Sequence, residues 1–309
     1  MSDERKYLSI IIPFYNEEGN LMMLNDELIK TLNCIDKSFE IILIDDGSKD
    51  NSLYIAKKIA KKHKEITCIE LSRNFGQENA ILAGMEHSCG DLIISMDADL
   101  QHPPNLVLEM IAKYEEGYDV VNTTRRDKQN NLLKIASIKL FYKILNILSG
   151  TDIKISSLNF KLISRNFLNE FIQLKEVNRF DRGLIEWLGF KQCYIEYQAE
   201  MRYSGRSKYT FIKLVIRGLN SISNFSTKPL HFIFHISIIV FMLSLISISI
   251  VFFRHMLGKD EYSSLSLILA IFLFGLQYLS IGIVCEYLAN IYNETKKRPN
   301  YIIKNIIKN

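Results

Sequence analysis

The chain predicts an α/β fold with a mainly parallel sheet and helices on both faces, followed by a two-helix transmembrane hairpin. Three observations predict it. Short apolar runs alternate with stretches of helical period from Tyr7 to Thr123. Each apolar run ends in polar or acidic residues, as strands do where an open α/β sheet binds ligands. Finally, Leu230–Phe253 and Leu265–Cys285 carry no formal charge, and at about 1.5 Å per residue each would span roughly 30 Å as a helix, enough for a bilayer core.

The elements follow in order. Tyr7–Ile12 is a strand, and Pro13-Phe14-Tyr15-Asn16-Glu17-Glu18 follows it, with Asn16 expected to cap a helix running to about Cys34. Glu40–Ile44 is the second strand, ending in Asp45-Asp46-Gly47-Ser48. Ser52–His63 has helical period, and Ile66–Leu71 is the third strand. Ser72-Arg73-Asn74-Phe75-Gly76-Gln77 then leads into a helix to about His87. Leu92–Met96 is the fourth strand; Pro103-Pro104 stop it and open a helix over Asn105–Glu116, and Asp119–Thr123 is the fifth strand.

The fourth strand leads into Asp97-Ala98-Asp99-Leu100-Gln101-His102. If the chain stays extended, Asp97 and Asp99 point the same way and face one point. Two close carboxylates repel, and a hard divalent cation, Mg²⁺ or Mn²⁺, relieves that repulsion while taking substrate phosphate oxygens for its other positions. An acidic turn in solvent is the plain alternative, and the flanking strand and prolines weigh against it. Asp45 and Asp46 could accept hydrogen bonds from a ribose or base edge, and Arg73 could pair with a phosphate. Taken singly, Asp-Gly-Ser is a turn and Arg-Asn-Phe-Gly a helix entry. His102 is read as lying behind the acids or exposed, because carboxylates select hard cations over zinc.

Composition narrows the function classes. Over 309 residues the net charge is +4, which leaves no nucleic-acid footprint. Cys34, Cys68, Cys89, Cys193 and Cys285 are scattered and read as reduced thiols. There is no Gly-x-Gly-x-x-Gly after the first strand and no Gly-Lys-Ser/Thr loop, which disfavours a dinucleotide oxidoreductase or P-loop ATPase. A carboxylate-held metal beside ribose-binding acids suggests instead a nucleotide whose pyrophosphate departs. The charged start Met-Ser-Asp-Glu-Arg-Lys leads to the expectation of no secretory signal. The expected layout is a cytosolic domain over residues 1–208, a juxtamembrane amphipathic helix over 209–228, the hairpin over 229–287 and a basic tail over 288–309. Basic flanks place both hairpin ends in the cytoplasm. Lys134–Leu148 and Tyr209–Phe225 mix basic and apolar residues in a way that suits a membrane surface, though ordinary core-packing helices share the pattern. His231 and His235 are read as interfacial packing near the start of the first membrane helix.

Pro13-x-Tyr15-Asn16-Glu17, Asp45-Asp46-Gly47-Ser48, Ser72-Arg73-Asn74-Phe75-Gly76 and Met96-Asp97-Ala98-Asp99-Leu100-Gln101 resemble the motif series of family 2 glycosyltransferases. The likeness is to the membrane-anchored polyprenyl-phosphate type, which includes bactoprenol glucosyltransferases and dolichol-phosphate mannose synthases. It continues through Asn178-Arg179-Phe180-x-Arg182-Gly183, Trp187-Leu188-Gly189-Phe190, Gly205-x-Ser207-Lys208-Tyr209, and Glu286-Tyr287-Leu288 with Ile291-Tyr292. The resemblance implies a nucleotide-sugar-binding, GT-A-like fold. It implies that Pro13, Tyr15, Glu17 and Asp46 line the nucleoside site with Asp45 and Arg73 beside them. Asp97 and Asp99 would engage Mg²⁺ or Mn²⁺ and diphosphate, Gln101 would lie near the sugar, and Arg202, Ser207 and Lys208 would meet phosphate on the membrane side.

The chain departs from the pattern where relatives read Asp-x-x-x-Asp-Ala-Gly-Asp-Phe-Arg-Leu. Here Ser156 and Asn159 replace two of the acids, the second being the position offered as catalytic base. A phosphate monoester acceptor, with a second pKa of about 6, is largely ionised at neutral pH and needs no base. The expectation is therefore an inverting, metal-dependent transfer from a UDP-sugar, or another nucleotide sugar, to polyprenyl phosphate. The product would be a glycosyl-phosphoryl-polyprenol for cell-envelope glycan modification, made by a multi-pass protein of the cytoplasmic membrane with its catalytic domain in the cytoplasm and homo-oligomerisation left open. The competing readings are transfer to a lipid or sugar hydroxyl, a processive polysaccharide synthase, which would need a Gln-x-x-Arg-Trp segment and a larger channel, and a silent nucleotide-sugar-binding scaffold.

Overall fold

The computed structural model describes residues 6–125, 159–176, 179, 181–198, 228–257 and 264–309. In chain order these form β1 (Lys6–Phe14), α1 (Leu21–Leu32), β2 (Phe39–Asp45), α2 (Ser52–Lys62), β3 (Ile66–Leu71), α3 (Gln77–Glu86), β4 (Gly90–Ser95), α4 (Leu106–Glu115) and β5 (Val120–Arg125). Then come β6 (Lys161–Ser164), α5 (Arg165–Gln173), α6 (Asp181–Leu188), β7 (Gln192–Tyr197), α7 (Lys228–Met256), α8 (Ser264–Thr295) and β8 (Ile303–Ile307). The strands make one eight-stranded sheet in the order β7-β5-β6-β4-β1-β2-β3-β8. β1 runs parallel to β2 and β4, β2 to β3, and β5 to β7, while β6 is antiparallel to β4 and β5, and β8 to β3. The mainly parallel α/β architecture expected from the alternating pattern is present.

Strand alternation divides the core into two layers. Leu8, Ile10, Ile12 and Phe14 of β1 face α1, α2 and α4 through Leu24, Leu28, Ala56, Ile59, Val107 and Met110. Ile11 faces the other way, onto Ile81 of α3, Phe167 of α5 and Leu184 of α6. Each buried Leu or Ile contributes about 1.5–3 kcal/mol relative to an exposed one, so a one-residue slip of β1 would invert this layering and is strongly opposed.

Asn16 does not cap α1, which begins at Leu21. Its backbone is left-handed at φ 56°, a conformation that asparagine tolerates because its short side chain bonds locally. That side chain accepts from the Lys49 N–H at 2.8 Å, and the Asn16 N–H donates to Ser48 Oγ at 3.1 Å, joining the loops after β1 and β2. Gly47, at φ 72°, could not be replaced in place: a Cβ there would stand 2.6 Å from Asn74 N and 2.7 Å from the Arg73 carbonyl carbon.

Residues 288–309, expected as a basic tail, continue α8 to Thr295 and then add β8 to the sheet edge. Isoleucines 303 and 307 turn towards the protein while Lys304 and Asn305 reach Glu70 of β3. Lys304 Nζ lies 2.6 Å from Glu70 Oε1, and Lys57 Nζ 2.7 Å from Glu70 Oε2. Burial alone would raise the Glu70 carboxyl, but the bonds from Lys304, Lys57 and Asn305 outweigh it and hold it down at about 2. Among the described residues, Phe272–Thr295 is long and apolar enough to cross a membrane, at 24 residues, and Ile233–Ser244 is a shorter apolar stretch within α7. Phe234, Ile239, Phe252, Phe272 and Leu279 of these helices are exposed. The connection between the helices and the amphipathic stretches 134–148 and 209–225 lie outside the described residues.

Gly47→Ala is expected to lower the melting temperature, at a cost of about 2 kcal/mol or more from left-handed strain and backbone clash. Glu70 gives a second expectation. A carboxyl depressed from 4.5 to about 2 stabilises the fold fully above about pH 4.5 and loses that contribution as pH falls through 2. Glu70→Gln lacks this contribution from the start, so its thermal stability and that of the unaltered protein, followed by circular dichroism, should converge at the acid end.

Candidate active site

The site lies along the carboxyl ends of β1, β2, β3 and β4, where parallel strands leave the sheet and their loops converge. Asp45 closes β2, buried, and accepts from the Ser48 N–H at 3.0 Å. Asp46 follows and is also buried; its two carboxylate oxygens accept from consecutive backbone amides, Phe75 N–H at 2.7 Å and Gly76 N–H at 3.0 Å. Asn74 Nδ2 donates to the Asp46 carbonyl at 3.0 Å. Burial pushes both carboxyls above their ordinary values, against the pull of those N–H bonds.

The residue after Gly76 carries the connection onward. Gln77 opens α3 and its Nε2 donates to Asp97 Oδ1 at 2.5 Å; Asn159 Nδ2, just before β6, donates to the same oxygen at 3.0 Å. The period-two argument for Asp97 and Asp99 does not hold, because β4 ends at Ser95 and the acids lie beyond it. The chain turns there, through Leu100 at φ 61°, a costly conformation for a branched side chain. Asp99 is buried and accepts from the Gln101 N–H at 3.2 Å.

His102 supports the turn from below. It is buried, stacked on Phe160 with centroids 4.6 Å apart and edge-on to Tyr197 at 5.9 Å. Its Nδ1 accepts the Asp97 N–H at 3.0 Å, so the neutral ring carries its proton on Nε2, which lies 3.8 Å from Asp97 Oδ2. The ring thus holds the backbone of Asp97, with Nε2 facing its carboxylate.

Of the other residues expected in the site, Pro13 is buried in β1, paired in register with Ile44, and Tyr15 is half-buried just beyond it. Glu17 accepts from Asn20 Nδ2 at 2.6 Å and its N–H donates to Ser52 Oγ at 2.8 Å. Arg73 is exposed, its guanidinium 4.2 Å from the Phe75 ring centre. Arg202, Ser207 and Lys208 lie outside the described residues. Gln77 was not singled out from the sequence; its place directly after a glycine that opens a helix was the available signal. Lys161 was also missed: it is buried in β6, where desolvation pushes its ammonium down against the opposing fields of Asp181 and Glu78.

Asp97 and Asp99 fit a hard divalent cation. Their donors are carboxylate oxygens two residues apart in one turn, and the described hydrogen-bond partners of Asp97 Oδ1 are neutral amides. Such an ion takes one or two protein carboxylates and completes its shell with phosphate oxygens and water. No group of three or more His, Cys, Asp or Glu side chains suited to a metal occurs among the described residues.

Residues 9–172 match the model of the Glycosyl transferase family 2 domain, and the chain belongs to that family. It is a glycosyltransferase with a nucleotide-sugar-binding, GT-A-like fold. It is 40% identical over 299 residues to the putative glycosyltransferase CsbB of Bacillus subtilis, covering 96% of this chain and 91% of that protein. It is 33% identical over 308 residues to the undecaprenyl-phosphate 4-deoxy-4-formamido-L-arabinose transferase of Shewanella sediminis, covering 97% and 92%. With the bactoprenol glucosyl transferase of Shigella phage SfV it shares 34% identity over 305 residues, 96% and 98% of the two chains. Among solved structures, it resembles glucosyl-3-phosphoglycerate synthase from Mycobacterium tuberculosis in complex with Mn²⁺ and UDP-glucose, at a TM-score of 0.47 and 18% identity over 71% of this chain and 77% of that one.

His102→Phe keeps a ring against Phe160 but removes the acceptor of the Asp97 N–H. Sugar transfer should fall about tenfold, the weight of one or two buried hydrogen bonds, and the melting temperature should drop modestly because the Asp97 N–H loses its acceptor. Unchanged turnover in a nucleotide-release assay would show that the imidazole does not set the Asp97 geometry.

Proposed function

We propose that this glycosyltransferase moves a sugar from a nucleotide sugar, with UDP-sugars the first candidates, to polyprenyl phosphate at the cytoplasmic face of a membrane. The observation that carries the reading is Asp97 held between Gln77, Asn159 and His102 just past the end of β4, in the same turn as Asp99 and joined through Gln77 to the Asp46 loop. Nucleoside would lie along Pro13, Tyr15, Glu17, Asp45 and Asp46, and Arg73 would meet its phosphates. Asp97 and Asp99 would hold Mg²⁺ or Mn²⁺, which when bound neutralises charge on the departing diphosphate. Gln101 would face the sugar; Arg202, Ser207 and Lys208 would bind phosphate on the membrane side.

The reaction is a single displacement with inversion. A phosphate oxygen of the acceptor attacks the anomeric carbon as the bond to the nucleotide diphosphate breaks. The names of the undecaprenyl-phosphate and bactoprenol relatives support that acceptor. So does Asn159: an amide that donates to Asp97 cannot take a proton, and an ionised phosphate has none to give. A hydroxyl acceptor would need a base at this position.

Topology supports the membrane reading. β8 belongs to the same sheet as β1–β7, so residues 300–307 lie on the same side of any bilayer as the domain. One crossing by Phe272–Thr295 would leave β8 across the bilayer from its partner strand. A second crossing by α7 would return the chain to the domain's side, and the exposed apolar side chains of α7 support this reading. Lys296, Lys297 and Arg298 at the end of α8 agree with a cytoplasmic exit.

Nucleotide release measured with undecaprenyl phosphate, Mn²⁺ and a panel of nucleotide sugars tests the proposal. At least one donor should turn over, and Asp97→Asn should reduce that rate by about 10²–10³-fold; protein that binds UDP yet turns over no donor would overturn it. Asn159→Asp should not raise turnover with the phosphate acceptor, because the 10²–10⁴-fold benefit of a general base is not drawn on. A large gain would mean that a proton must be removed after all.

A further inference from the structure

Residues 300–307 hold the loop that reaches the acids at the site, while their own described bonds go to Ser72, Glu70, Glu86 and Glu176 and the Lys304 charge is felt at Asp45. Ser72 N–H donates to the Ile302 carbonyl at 2.9 Å, where a register shift at Glu70/Leu71 turns β3 into the loop. Lys304 and Asn305 fasten β8 to Glu70 at 2.6 and 3.1 Å, and the Tyr301 hydroxyl donates to Glu86 in the last turn of α3. Asn300 Nδ2 donates to the Glu176 carbonyl at 3.3 Å. From Ser72 the chain runs directly through Arg73, then Phe75 and Gly76 on the Asp46 carboxylate, then Gln77 on Asp97. One end of this loop is therefore pinned by the two site acids and the other by the segment that follows α8.

We propose that residues 300–307 are a positioning strap for the donor loop, so that the end of α8 sets the placement of Arg73, Gly76 and Gln77. The strap lies outside the binding machinery and works through the loop. Loosening it should weaken nucleotide binding even though no strap residue meets the nucleotide. This rests on the reading that the Asp46–Asp97 edge binds the donor diphosphate.

The discriminating comparison uses the two cations on Glu70. Lys304 belongs to the strap, and Lys57 belongs to α2 and touches Glu70 from the other side at 2.7 Å. In full-length protein in detergent, Lys304→Ala with Asn305→Ala should weaken UDP binding by about threefold to tenfold, the effect of one or two hydrogen bonds. It should also speed hydrogen exchange at the Phe75 and Gly76 amides. Lys304→Arg should restore both, and Lys57→Ala should lower the melting temperature while changing neither. The proposal is overturned if exchange at Phe75 and Gly76 in the double variant matches the unaltered protein, or if Lys57→Ala speeds it equally. If the unaltered protein binds neither UDP nor another nucleoside diphosphate, the donor reading falls, and amide exchange alone still decides for or against the strap.

Discussion

The Asp46 carboxylate is the constraint on which the donor edge depends. A buried carboxylate is costly unless hydrogen bonds replace its water, and here two consecutive amides do so. Those amides belong to Phe75 and Gly76, so satisfying Asp46 also fixes the backbone that opens α3. Gly76 adopts φ 93°, open mainly to glycine, and the residue after it is delivered to Asp97. One interaction between the ends of two strands thereby spaces the acids expected at the nucleoside from the acids expected at the diphosphate.

The opposite edge of the sheet is organised by a similar rule with no chemistry attached. Glu40, buried at the start of β2, accepts from Ser9 Oγ and from the Cys89 N–H, both at 2.6 Å, while Ser9 Oγ accepts from the Gly90 N–H. Arg165 Nε donates to the Gly90 carbonyl at 2.8 Å. This network ties β1, β2 and β4 to the start of α5 and leaves the carboxyl edge to carry the turns. Asn16 and Leu100, two of the three non-glycine residues with positive φ among the described residues, lie on that edge.

The replacement of an acid by Asn159 makes chemical sense in this setting. An aspartate there would stand 3.0 Å from Asp97 Oδ1 and oppose its ionisation; the amide instead donates to it. Under the proposed reading, the amide would favour a charged Asp97 facing a cation, at the loss of a group able to accept a proton. That exchange is tolerable when the acceptor arrives ionised, which links the chemistry of one side chain to the class of substrate.

The sequence by itself determined the alternating α/β architecture from Tyr7 to Thr123, the edge of the sheet that carries the acids, and the two long apolar helices. These follow from local periodicity and from the position of polar residues at strand ends, which need no distant contact to be read. Only the tertiary structure decided that Asp46 spends both oxygens on backbone amides, that Gln77 and His102 hold Asp97, and that the acids sit in a turn instead of an extended strand. The same holds for β8, whose five residues read as a basic tail until Glu70 and the β3 edge supply partners. Each of these depends on which groups far apart in the chain meet when buried charges and backbone amides seek partners, and that pairing is set by the fold as a whole.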